Sequence, residues 1–228
     1  MQLSKIEETF RRNAICISAA IVLFGFSSLR HFLFRSGAWD LSIFDQAVYL
    51  ISQNQTPFST LLGFHILGDH AAFIFYPLAL LYRIVPSVYW LLLVQSIALS
   101  LAVIPLRSLA HQLNVPRTSI NVLTIVYLFY PIVFNSNMSD FHPEVLSIPM
   151  FLIAVWAVRS SRNVIFYLSL LIIFICRDTL ALNMIAMGIW LWIFEKNVAT
   201  VRSRSKKRVC SNRSVFGWGC STLYNPLE

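Results

Sequence analysis

Glycine is scarce in this chain, with 7 among 228 residues, and acids are few, with Asp and Glu together numbering 10. Charged residues make up only 12% of the sequence, against about 25% in an ordinary soluble domain. So little charge excludes a disordered chain and a nucleic-acid domain with a solvated surface. No Gly-rich phosphate loop, Gly-x-Ser-x-Gly, His-Glu-x-x-His or Cys-x-x-Cys is present, so soluble nucleotide-dependent chemistry has no support. The four cysteines lack zinc-ligand spacing and imply no disulfide framework: Cys16 and Cys176 lie in apolar blocks, Cys210 and Cys220 in the tail.

What is abundant is apolar surface. Hydrophobic residues make up 57% and aromatics 14%, the mean hydropathy is +0.67, and the apolar residues come in long blocks. The expected solvent is a bilayer, which a helix of about 20 apolar residues crosses. The fold class expected is all-α, a polytopic transmembrane bundle over 1–196 with spans near 13–29, 87–106, 118–136, 145–158, 164–176 and 179–194. The first block has no Ala-x-Ala-like site after it and carries Glu7 and Glu8 in its flank, so it reads as a retained span rather than a signal peptide. The last three blocks are short for a crossing. The outer loop 30–86 holds further helices.

The block 71–85 is ambiguous because Pro77 and Arg83 interrupt it, and the positive-inside rule decides it. If it does not cross and the N-terminus is cytoplasmic, Lys5, Arg11, Arg12, Arg107, Arg117, Arg159, Arg162, Lys196 and the basic tail all lie inside. Only Arg30, Arg35, Arg83 and Arg177 then lie outside. If it does cross, every downstream loop flips and the basic ones move outside. Residues 70–86 are therefore expected to form an interfacial helix. Net charge is +8, but Arg202, Arg204, Lys206, Lys207, Arg208 and Arg213 supply most of it. This is a local basic stretch that points to membrane lipid and not to nucleic acid.

The same arrangement puts Asp40, Asp45, Asp69, Asp140, Glu144 and Asp178 on the outer face, with His31, His65, His70 and His142. Asp40 stands just before a helical pattern over 41–53, where an N-cap stands, and a cap also holds a carboxylate rigidly. Asp45 lies about 140° further around that helix, so both carboxylates face one site only if Asp40 is off the helix. Asp69 fits a cap before the interfacial helix. Pro143 and Glu144 suit a helix first turn, which leaves His142 free to meet a phosphate or a metal. Arg177 and Asp178 sit near the bilayer boundary, either snorkelling as a pair or gripping a phosphate through the Arg177 guanidinium.

The run Asp40-Leu-Ser-Ile-Phe-Asp-Gln46, Asp69-His70 with Pro77 beyond it, Gln95, Phe141-His-Pro-Glu144 and Cys176-Arg-Asp178 together resemble the DUF2079 family of bacterial polytopic membrane proteins, over roughly 15–196. The layout is similar to the GT-C superfamily of membrane glycosyltransferases. That resemblance implies a polyprenyl-phosphate sugar donor and an essential acid in the first outer loop, at the position of Asp40. It also implies a divalent metal ion in some members. The expected roles follow from it. Asp40 and Asp45 are the catalytic candidates. His70, His142, Arg177 and Asp178 bind substrate, and Asp69 and Glu144 ligate a cation. The expected place is a bacterial inner membrane. Residues 197–228 depart from the family pattern and read as a basic irregular tail, left either by a frameshift or truncation near residue 197 or as a short cytoplasmic tail. A truncated or scaffolding protein is the alternative function. A transporter is disfavoured because no repeated broken helices occur and the ionisable groups sit at span ends.

Overall fold

The structure, a computed structural model, describes residues 2–37 and 39–195, with side chains from Arg12 onward. The expected tail and its frameshift or truncation lie outside the described residues. The chain divides into two units, Met1–Asn183 and Met184–Glu228. In the first unit the order is α1 (Gln2–Phe32), α2 (Leu41–Ser52), β1 (Phe58–Ser59), β2 (Phe64–His65), α3 (Leu67–His70), α4 (Phe75–Tyr82), α5 (Tyr89–Leu101) and α6 (Val103–Gln112). It continues with α7 (Arg117–Leu128), α8 (Pro131–Met138), a 3₁₀ turn (Pro143–Leu146), α9 (Ser147–Arg159) and α10 (Asn163–Cys176). The helix α11 (Leu180–Glu195) begins in the first unit and supplies the described part of the second. The only strand pairing among the described residues is the two-residue ladder of β1 and β2. The molecule is an all-α membrane bundle, as its composition implied.

Three stretches are long and apolar enough to cross a membrane: Arg12–Phe32, Tyr89–Gln112 and Arg117–Met138. They match the expected spans at 13–29, 87–106 and 118–136. Two of them are interrupted, each beside a proline. Pro105 has no N–H to give the carbonyl four residues back, and α5 passes into α6 through a turn at Ala102. Pro131 opens α8 at its first position, where a missing N–H costs nothing. The expected spans at 145–158 and 164–176 appear as α9 and α10, of 13 and 14 residues. Each reaches about 20 Å, short of the roughly 30 Å of hydrocarbon. The block at 179–194 is the apolar helix α11.

The stretch Tyr89–Gln112 lies at the centre, with 56% of its apolar window buried, while Arg12–Phe32 and Arg117–Met138 each bury only 17%. A small core of Leu23, Leu99, Val133 and Val145 joins α1, α5, α8 and the 3₁₀ turn. The peripheral helices expose Ile17, Ile21, Phe26, Val122, Ile125 and Phe129. Such stripes are a liability in water and the natural surface against lipid.

The loop after α1 folds back over one end of the bundle. Its periodic segment is helical, as α2. Residues 70–86 are not one helix. Ala71 takes a left-handed φ of 46° and ends α3, and α4 follows as a separate piece of 8 residues, about 12 Å long. Phe44 of α2 packs on Phe75 of α4 at 5.2 Å and edge-on to Phe141 at 6.1 Å, fixing the loop against the turn before α9.

Candidate functional site

Two polar clusters meet at the segment 140–144. The first is built on Asp140, which is 4% exposed and holds a φ of 76°. Its carboxylate pairs with Arg30 at the end of α1 and accepts the Gly37 N–H at 2.7 Å. A side chain at position 37 would press on that carboxylate, since a Cβ there would lie 3.3 Å from Asp140 Oδ2. From α5, the fully buried Gln95 donates to the Asp140 carbonyl at 2.8 Å and to the Ser136 carbonyl at 3.1 Å, and accepts the His142 N–H at 2.8 Å. One amide thus fixes the backbone on both sides of Phe141. Below it, Asn137 donates to the Leu23 carbonyl and accepts from Ser96.

The second cluster joins α3, the 3₁₀ turn and the end of α10. Arg177 NH1 donates to Glu144 Oε1 at 2.6 Å, and its NH2 lies 3.0 Å from His70 Nε2. The same imidazole nitrogen is 3.0 Å from Asp69 Oδ2. The backbone closes the arrangement: the Asp178 N–H donates to the His70 carbonyl, and the Ile74 N–H to that of Ile175. Arg177 Nε and Glu144 Oε2 are buried and have no partner. The cluster is therefore half-satisfied: a guanidinium with an unused donor faces the protein interior beside a carboxylate with an unused acceptor. Unpaired buried groups of this kind call for a ligand, an ion or a water.

Four of the eight sequence candidates, Asp69, His70, Glu144 and Arg177, are brought together. Asp178 borders them through its backbone, and in the turn before α11 its side chain accepts the Thr179 N–H at 2.7 Å. His142 sits between the clusters, its Nδ1 3.4 Å from the Asp140 carbonyl. Asp40 occupies the N-cap position of α2, yet its carboxylate makes no capping bond; it is exposed and has no partner among the described residues. Asp69 lies within α3 rather than ahead of a helix. Asp45 accepts a 2.6 Å hydrogen bond from the hydroxyl of Tyr82. Burial, and after it the bond to the Asp45 carboxylate and its charge, push the Tyr82 phenol well above its ordinary range.

Arg30, Asp140 and Tyr82 were missed as partners. One signal was available for the amide that holds the backbone around Asp140, because a glutamine amid the apolar residues of a span must find hydrogen bonds inside the protein.

Apolar peripheral helices around a hydrogen-bonded polar interior define an integral membrane protein. Residues 30–223 match the family described as predicted membrane protein (DUF2079), and the chain belongs to that family. No curated protein and no solved structure gives a match.

Proposed function

We propose that the chain is a GT-C-like glycosyltransferase that takes a sugar from a polyprenyl-phosphate donor at the outer face of a bacterial inner membrane. The observation that carries this reading is the Arg177 cluster. A guanidinium with a buried, unused Nε, flanked by His70, is a seat for a phosphate, which a planar fork of donors binds well. Asp40 is the catalytic carboxylate, since it is exposed and has no partner among the described residues, whereas Asp45 is held by Tyr82. In the transfer, the acceptor hydroxyl attacks the sugar's anomeric carbon, the bond from that carbon to the phosphate oxygen breaks, and the hydroxyl proton passes to Asp40. The lipid phosphate leaves with its charge held by Arg177 and His70, with His142 beside them. Asp45, held by Tyr82, keeps the start of α2 in place.

Asp69 and Glu144 are the carboxylates that would hold a divalent cation. Glu144 Oε2, buried and unpartnered, is the oxygen that would hold one, as hard cations take carboxylate oxygens. Among the described residues no three His, Cys, Asp or Glu side chains are grouped to hold a metal. Such a cation would neutralise phosphate charge.

The contacts also support a multi-pass topology in which 71–85 does not cross, and the basic loops favour a cytoplasmic N-terminus. His70 touches Arg177 and Arg30 touches Asp140, so each pair lies on one face. Crossings at 87–106, 118–136, 145–158 and 164–176 are even in number for both pairs. A further crossing at 71–85 would separate them.

Native mass spectrometry of the detergent-purified chain tests the donor site. We expect a co-purified polyprenyl-phosphate lipid, lost when Arg177→Gln and His142→Gln are combined in protein that still melts cooperatively. A folded wild type without any such lipid, or a variant that retains it, overturns the reading.

A further inference from the structure

We infer that the exposed side of α10 is matched to a hydrocarbon core about 20 Å thick, so that the bilayer is pinched there while α1 and α7–α8 stand in its full thickness. The inference rests on α10 crossing the membrane, as in the topology proposed above, and not on the donor site.

Two faces of the bundle differ in height. Arg12–Phe32 and Arg117–Met138, of 21 and 22 residues, extend about 32 and 33 Å, enough for a core about 30 Å thick. The 14 residues of α10 extend about 21 Å. Its side chains Val164, Tyr167, Leu168, Leu171 and Phe174 are each more than half exposed, so this short helix presents an apolar stripe to lipid. Packed behind it, α9 exposes no large apolar residue, so α10 and not α9 meets the lipid on that side.

Both ends of α10 are fixed, and the helix gains no reach from its flanks. At one end the turn from α9 is tight: Ser161 takes a left-handed φ of 57°, and the Arg162 N–H donates to the Ala157 carbonyl at 2.8 Å. At the other end the backbone becomes extended at Arg177. There the Ile175 carbonyl accepts the Ile74 N–H, and the Asp178 N–H donates to His70. Exposed polar residues bracket the stripe: Ser161, Arg162 and Asn163 before it, Asp178 and Thr179 after it.

A span shorter than the hydrocarbon is accommodated by snorkelling of its flanking side chains, by association of copies, or by thinning of the bilayer. The flanking arginines do not snorkel. Arg162 folds back over the Trp156 ring of α9, 5.6 Å from its centroid, and Arg177 is turned to Glu144 and His70. Association is disfavoured by the stripe itself, which is bulky throughout, whereas helices that pair in lipid place small residues at the contact. Thinning remains, and any tilt of α10 would only lower its reach. The consequence is access: beside α10 the outer headgroup plane comes level with Arg177, so a polar headgroup reaches that side chain sideways from its own leaflet.

The test is thiol labelling of the full chain in dioleoyl phosphatidylcholine vesicles by a membrane-impermeant maleimide added from either side. Cys210→Ser and Cys220→Ser form the background, and Cys16 and Cys176 are buried. Asn163→Cys, Leu168→Cys and Thr179→Cys are made singly, all at exposed positions. We expect Asn163→Cys to label from one side and Thr179→Cys from the other, each within about threefold of its rate in detergent, and Leu168→Cys to label at least about tenfold more slowly from both, since thiol reactivity follows access. In a bilayer of full thickness one end of α10 would lie in hydrocarbon, so protection of either end overturns the inference. Fast labelling of Leu168→Cys would mean a water-filled crevice, and its oxidative cross-linking into dimers in dilute vesicles would mean that a second copy covers the stripe. Either result overturns the inference as well. Labelling of both end positions from the same side would show that α10 does not cross, so a failure of the topology is read separately from a failure of the thinning.

Discussion

Asp140 shows what a single residue does at the centre of this protein. Its positive φ turns the chain sharply at the end of α8, a conformation that Asp tolerates better than most side chains. The carboxylate then reaches Arg30 and the Gly37 N–H, 110 and 103 positions away. None of this was legible in the sequence, where Asp140 was one more polar residue between two spans. Pairings over such separations leave no local pattern, and the same holds for His70 and Arg177, which are 107 positions apart. Asp45 and Tyr82 supply a prediction at this scale. Burial and the Asp45 carboxylate raise the folded-state pKa of the phenol above its ordinary 10.0, so the contribution of this pair is fully present below pH 10.0 and fades as pH rises beyond it. Tyr82→Phe should cost about 1.5 kcal/mol at neutral pH, the lower end for a hydrogen bond to a charged group, because Asp45 reaches water. The gap in melting temperature between wild type and variant should narrow above pH 10.0. A gap that stays constant there would show that the hydroxyl does not titrate with folding.

At the scale of elements the reading of the sequence went further. The periodic run after Asp40 became α2, and Pro143 opened the turn it was expected to open, because both signals are local. The segment 70–86 was harder. Its apolar content reads as one helix, but the left-handed Ala71 divides it, and nothing in the side chain of alanine announces that. The cap expected of Asp40 also failed to form, leaving the carboxylate free. Proline placement matters most in the central stretch, where Pro105 sits one turn beyond Leu101. Pro105→Ala restores a backbone donor to that helix, so we expect helical content by circular dichroism to rise slightly and thermal stability not to fall. A clear loss of stability would mean that the pyrrolidine ring is held by packing that outweighs the restored bond.

For the whole molecule, the decisive feature is that the clusters built on Asp140 and Arg177 meet at the segment 140–144, while a further polar group, Arg107 with Asn121 and Thr124, joins α6 to α7. Composition alone made the bilayer legible as solvent, and the charge distribution chose a topology. On the proposed topology an even number of crossings separates Arg30 from Asp140 and His70 from Arg177, so each contacting pair lies on one face. The helix α4, about 12 Å long, is too short to add one. Everything proposed for the site depends on this one-sidedness. Paired topology reporters test it most directly, one fused after Asn114 and one after Ser139. The account predicts a cytoplasmic signal from the first and an external signal from the second. With an N-terminal reporter still cytoplasmic, reversal of both would make 71–85 a true span, put His70 and Arg177 on opposite faces, and contradict the site as described.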